Sequence, residues 1–195
     1  NLIDVGVVNE VPIDNDYDIR VFDSPKELQS AIMEKNDDQS LGISRLTATY
    51  DWEYSSQSKP KDSDYWCVRI GDWSCPWNRQ LAKEKESKHL SWIEQSQTIH
   101  EIGSTFTVQG FDLNYVGVII GPSVKYRDGK IIFDISESKN KSAVQNRKLE
   151  SGEMINYGET LLRNELNVLL TRGVNGLYVY AVDEELQQAL KNATK

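Results

Sequence analysis

Tyr115-Val116-Gly117-Val118-Ile119-Ile120-Gly121 is the stretch on which the reading of this 195-residue chain turns. Its apolar residues run continuously instead of alternating, and most are β-branched. That pattern suits a strand covered on both faces, as in a parallel sheet flanked by helices. Gly121-Pro122 stops the run. Just upstream, residues 106–109 read as a second apolar strand segment, with a polar turn between the two. The expected fold class is therefore α/β, in three layers, with a mostly parallel sheet.

The flanks supply the helices such a sheet needs. Residues 18–22 alternate as a short strand, and Ser24-Pro25 reads as an N-cap with proline at the first helical position. Leu28 and Ile32 then recur at helical spacing, and the helix is expected to end near Asn36 before a strand from Gly42 to Ala48. On the other side, Asp128-Gly129 marks a turn between two short extended pieces. Thr160 to Arg172 is predicted helical, with Leu162, Leu166, Leu169 and Leu170 as its apolar stripe and Gly173 as its C-terminal stop. Residues 176–182 form the last strand, and Asp183 caps a closing helix in which Leu186 and Leu190 face inward. Trp66, Trp73, Trp77 and Trp92 crowd the middle of the chain; packing against the sheet is the plain reading, base stacking the sharper one.

Composition narrows the function classes. No run approaches the roughly 20 apolar residues of a membrane span, so a membrane protein is excluded. Cys67 and Cys75 lack the close pairing of zinc ligands and read as thiols of a cytoplasmic protein. Residues 1–64 hold 14 acidic and 6 basic side chains, which accounts for the whole net charge of −8. A chain with a pI near 4.9 does not bind nucleic acid as a generic polycation. The one clearly basic stretch is 125–148, where Lys125 and Arg127 are candidates for contacting phosphate. A solvated insertion at about 122–150 accounts for the same charges. His89 and His100 stand apart from any cysteine or carboxylate cluster, so no metal site or proton relay is expected. The opening on Asn1, with no initiator methionine, reads as an excised fragment.

Two segments go beyond scaffold. In Thr107-Val108-Gln109-Gly110-Phe111-Asp112, Gly110 allows a backbone conformation or a close approach that a side chain would forbid. In Leu169-Leu170-Thr171-Arg172-Gly173, an arginine closes a leucine-striped helix just before a strand. Position alone assigns Arg172 to the helix-end carbonyls and dipole. Asp112 alone reads as the cap of a tight turn.

Together these segments resemble motifs V and VI of superfamily 1 helicases. With TVQGFDLNYVGVIIGP, NVLLTRGVNGLYVYAVDEEL, YDIRVF, SRLTATYDWEY and the Trp77-Asn78 pair, nearly the whole chain resembles the C-terminal part of the Schlafen group three-like DNA/RNA helicase family. The resemblance implies the second, C-terminal RecA-like domain of a P-loop NTPase, a single domain over residues 1–195. ATP and Mg²⁺ would be bound by the full-length protein, mainly through an N-terminal P-loop domain that this chain lacks. No G-x-x-x-x-G-K-[ST] occurs in the 195 residues, so the fragment alone should be inactive.

By the same resemblance Arg172 becomes the candidate catalytic residue, an arginine finger that neutralises charge on the transferring phosphoryl group. Gln109, Gly110 and Asp112 become nucleotide-binding candidates of the motif V turn, and Arg45 a further candidate from motif IV. Thr107 and Thr171 could donate to a phosphate of DNA or RNA, although threonine beside a strand is more often a packing residue. Phe106 stands where many helicase relatives carry histidine, and Asp112 where they carry glutamate. The alternative function is a non-translocating regulatory module on the same fold, binding nucleic acid or protein.

Overall fold

The computed structural model describes residues 3–4, 7–8, 17–38, 42–82, 85, 87 and 89–194. Its strands are β1 (Ile3–Asp4), β2 (Val7–Val8), β3 (Asp18–Val21), β4 (Arg45–Ala48), β5 (Cys67–Ile70), β6 (Trp73–Pro76), β7 (Leu113–Ile120), β8 (Val124–Arg127), β9 (Lys130–Phe133), β10 (Arg147–Lys148), β11 (Met154–Ile155) and β12 (Gly173–Ala181). Its α-helices are α1 (Pro25–Asp37), α2 (Thr105–Val108), α3 (Lys141–Val144), α4 (Gly158–Leu170) and α5 (Glu184–Ala193).

The centre is a four-stranded sheet in the order β3-β12-β7-β4, parallel at every pairing. The remaining pairs, β1-β2, β5-β6, β8-β9 and β10-β11, are antiparallel and peripheral. The chain crosses from β3 to the far edge at β4 through α1, and returns from β7 to β12 through α4. Right-handed crossovers that run in opposite directions put their helices on opposite faces. The packing agrees. Leu28 and Ile32 of α1 cluster with Leu46, Ile119 and Tyr178, whereas Leu162, Leu166 and Leu169 of α4, with Leu186 and Leu190 of α5, cluster with Val116, Val118 and Ile120. Alternate residues of β7 thus feed two cores, and the run is apolar throughout because neither face meets water. Each leucine fully removed from water there contributes about 1.5–3 kcal/mol.

Local chemistry sets the helix ends. Ser24 caps α1, its hydroxyl accepting from the Glu27 amide at 3.2 Å, with Pro25 in the first turn. Asp183 caps α5 by accepting from the Leu186 amide at 3.0 Å. Two expectations fail. Residues 105–108 form the single turn α2 rather than a strand, because Ser104 and Thr107 make a reciprocal cap that holds the segment helical. Gly173 does not stop α4; it opens β12, where a Cβ would fall on the carbonyl oxygen of Gly176. The 122–150 region is a hairpin (β8-β9) followed by α3 and β10, laid over the β7 end of the fold. Among the described residues no helix is long and apolar enough to cross a membrane.

Candidate functional site

All four parallel strands begin at one edge of the sheet, and the two marked segments meet there. α4 ends at Leu170 because Thr171 folds back on it: its amide and its hydroxyl both donate to the Asn167 carbonyl, at 3.2 and 2.8 Å. Arg172 follows, and its backbone carbonyl accepts from the Leu113 amide at 2.8 Å, seating the start of β7 beside the start of β12. Its side chain does two further things. Nε donates to the Val168 carbonyl at 3.0 Å, closing its own helix end. Nη1 donates to the Phe111 carbonyl at 3.3 Å and stands 3.7 Å from Asp112 Oδ1. Arg172 thus ties the end of one marked segment to the turn of the other. The Asp112 contact is the longest of these, and the Arg172 side chain keeps 23% of its surface exposed while that of Asp112 keeps 73%. With the acid that exposed, the ion pair contributes at most about 1 kcal/mol, so the hydrogen bonds to the Val168 and Phe111 carbonyls do most of the holding.

The turn itself is presented to solvent. Gln109, Gly110, Phe111 and Asp112 are all exposed. Gly110 has φ +86°, a left-handed conformation, and nothing lies within 4 Å of where its Cβ would be. Of the two reasons for a glycine, the conformation is the one the fold uses.

The other sequence candidates go elsewhere. Thr107 is buried, and its hydroxyl both donates to the Ser104 carbonyl and accepts from the Ser104 amide, at 2.8 Å each. Thr171 is exposed with its hydroxyl spent on α4. Arg45 lies inside the molecule at 4% exposure, its guanidinium donating to Thr98 Oγ1, Asn36 Oδ1 and the Ser44 and Gln95 carbonyls at 2.6–3.2 Å. Burial lowers its pKa, and no carboxylate pairs with it among the described residues. As the fold stands, Arg45 is a core residue that faces no cleft. Lys125 and Arg127 sit at the opposite end of the strands from Arg172, about 25–30 Å away given the nine residues of β12. Both are engaged: Lys125 pairs with Asp134 at 2.7 Å, and Arg127 with Asp183 at 2.7 Å and Glu185 at 3.3 Å. His89 and His100 are exposed, and both cysteines are free thiols.

Sequence reasoning missed a pair of buried carboxylates at that opposite end. Glu165, on α4, is 7% exposed; it accepts from the Tyr50 amide at 2.7 Å and weakly from Asn140 Nδ2 at 3.5 Å. Burial pushes its pKa up to about 7, and the neighbouring Asp51 adds to the rise. Asp51 is 5% exposed, its Oδ2 accepting from Thr49 Oγ1 at 2.8 Å and the Ser123 amide at 3.1 Å, and burial raises it too. The signal was in the helix pattern: Glu165 falls three residues after Leu162 and beside Leu166, on the stripe that faces the core. No group of three or more histidine, cysteine, aspartate or glutamate side chains fit to hold a metal ion occurs among the described residues.

Fold and site together define an α/β domain whose two marked loops converge on one edge of a parallel sheet. Comparison with known families supplies the rest. The family model described as Schlafen group 3, DNA/RNA helicase domain, matches residues 1–183, and the chain belongs to that family. An uncharacterized protein of Saccharomyces cerevisiae, YPL245W, is 36% identical over 181 residues, covering 92% of this chain and 37% of the relative. The chain thus spans little more than a third of that relative's length. No solved structure matches it.

Proposed function

We propose that this chain is the C-terminal RecA-like domain of a helicase-like NTPase, a three-layer fold of the P-loop type that closes on a separate nucleotide-holding domain. The observation that carries this reading is the contact of Arg172 with the 111–112 turn across two adjacent parallel strands. It places a guanidinium, an exposed amide at Gln109 and an exposed carboxylate at Asp112 on one strand edge. That donor set suits the rim of a nucleotide cleft, with Arg172 toward the phosphates and Asp112 toward a hydroxyl or another donor. It includes no row of backbone amides to cradle a triphosphate, so ATP and Mg²⁺ are held chiefly by the other domain. When bound there, Mg²⁺·ATP supplies the phosphoryl group. This chain supplies positive charge, and in other NTPases such an arginine contributes about 10³–10⁵ in rate.

To act this way Arg172 must let go of Val168 and Phe111, exchanging two hydrogen bonds of about 1.5–3 kcal/mol each for charge-assisted bonds to phosphate oxygens. The test is ATP turnover by the intact parent protein carrying Arg172→Ala. Turnover should fall by about three orders of magnitude with folding unchanged; wild-type turnover would remove the finger role. The docked state of Arg172, and the ion pairs that occupy Lys125 and Arg127, favour a second reading: a regulatory module that does not translocate. An unwinding assay on the intact parent separates the two, because only the motor couples hydrolysis to strand separation.

A further inference from the structure

The residues that the sequence offered for nucleic-acid contact are buried, bonded to their own helix or ion-paired. A different surface carries the features such contact needs. Phe106, on α2, is 58% exposed, the largest exposure of any aromatic ring among the described residues. Its ring stands T-shaped to Tyr50, centroids 5.6 Å apart at 80°. Tyr50 in turn stands 4.8 Å from Trp77, and Trp52 6.4 Å from the same indole. Trp77 is fully buried and anchors the group. Tyr50, Trp52 and Tyr54 recur every second residue and all pack one side on the Trp77 core, leaving the other half-open.

This surface is also where the backbone is strained. Asn78 and Arg79 are consecutive non-glycine residues at φ +68°, a conformation that costs an L-residue free energy and persists only where its surroundings enforce it. Asn78 is fixed: its amide donates to the Ile102 carbonyl at 2.9 Å, and its Oδ1 accepts from Ser104 Oγ at 2.7 Å. Arg79, by contrast, is exposed beside Tyr54. Lys139 is exposed as well, its amide donating to the Tyr50 carbonyl at 2.8 Å. Neither cation comes within 4 Å of a carboxylate among the described residues, unlike Lys125 and Arg127, although the buried Glu101 carboxylate lies near enough to attract Arg79. Glu53 is the one exposed acid within the 50–54 segment.

We propose that Phe106, Tyr50 and Trp52 form a stacking platform for the bases of a single strand of nucleic acid, with Arg79 and Lys139 meeting the adjacent phosphates. The inference rests on the reading of this family as acting on nucleic acid, and it places the contact on residues that nothing else assigns. Rings serve this purpose without sequence preference because every base has a π-face, and cations beside them track the backbone. The platform is aromatic, Phe106 exposed and Tyr50 and Trp52 half-buried, which favours bases over a peptide's aliphatic side chains.

The test is fluorescence anisotropy of the 195-residue chain with fluorescein-labelled oligothymidine and oligouridine, with no nucleoside triphosphate present. Phe106→Ala should weaken binding roughly 5- to 150-fold, the range for losing one base stack, and Phe106→Trp should restore it. Arg79→Gln should weaken binding and reduce the slope of log affinity against log salt by about one contact. Ile132→Ala, at an exposed apolar site on β9, should change nothing; thermal melts confirm that each variant folds. No binding of either oligomer, full affinity in Phe106→Ala, or an equal loss in Ile132→Ala would overturn the proposal. The Arg172 test is independent: oligomer binding retained beside an indifferent Arg172→Ala would keep the platform and remove the motor.

Discussion

Glu165→Gln should stabilise this protein, and by an amount that depends on pH. The carboxyl is 7% exposed on the core-facing side of α4, and the groups around it give it hydrogen bonds but, among the described residues, no cation. Burial and the nearby Asp51 raise its pKa from 4.5 to about 7. A carboxyl raised on folding is held neutral by the native state, so the folded protein binds a proton that the unfolded chain has released. The stability this confers is complete below the unfolded pKa, falls as pH rises between the two values, and is gone above about 7. Each pKa unit is worth 1.36 kcal/mol, so between about pH 5 and about pH 8 wild-type loses about 2–3 kcal/mol through this group. Glutamine keeps the acceptor for the Tyr50 amide and never ionises. Urea titrations at both ends of that range should show the Gln variant gaining about 2–3 kcal/mol on wild-type from acid to alkaline, with unchanged m-values. A difference between variant and wild-type that stays constant with pH, or one that moves against the variant as pH rises, would mean that Glu165 is not held neutral by its burial.

Two further substitutions test the packing. Arg45→Met removes a buried cation but leaves Asn36, Thr98 and two carbonyls without their donor, and should cost about 2–4 kcal/mol in the same assay; an effect below about 0.5 kcal/mol would mean that water replaces the guanidinium. Gly117→Ala puts a Cβ at 2.7 Å from Ile32 Cγ1 and from Leu46 Cδ1, where α1 lies against the sheet. Because both neighbours are side-chain ends that can move, the expected loss is about 1–3 kcal/mol, read as a shift in the urea midpoint, and a neutral result would mean that α1 sits farther from the strand.

What the sequence disclosed followed from the range of the signal. The 115–120 run had the length and continuity that a two-faced strand explains, and β7 covers it, ending where Gly121-Pro122 begins. The Ser24-Pro25 and Asp183 caps are local chemistry, complete within four residues, and both formed as expected. Residues 106–109 misled because apolar content pointed to a strand while Ser104 and Thr107, a polar pair three residues apart, fixed a helical turn. The motif residues of the candidate site could be named from their spacing, but their partners could not. Whether Arg172 faces out or folds back on Val168 depends on a turn 61 residues away. Arg45 became a candidate only through the resemblance to motif IV; apart from the adjacent Ser44 carbonyl, its acceptors come from α1 and from the 95–98 segment, up to 53 residues distant. Glu165 was legible only to a reader who asked why an acid stood on a leucine stripe.

The place of the Arg172 guanidinium when nucleotide is bound decides whether this chain serves a motor. A structure of the intact parent with Mg²⁺ and a non-hydrolysable ATP analogue measures it directly. Arg172 should swing away from the Val168 and Phe111 carbonyls and bring its nitrogens to hydrogen-bonding distance, about 2.7–3.2 Å, of terminal phosphate oxygens. The same guanidinium still closing its own helix end, with the analogue bound elsewhere, would contradict it.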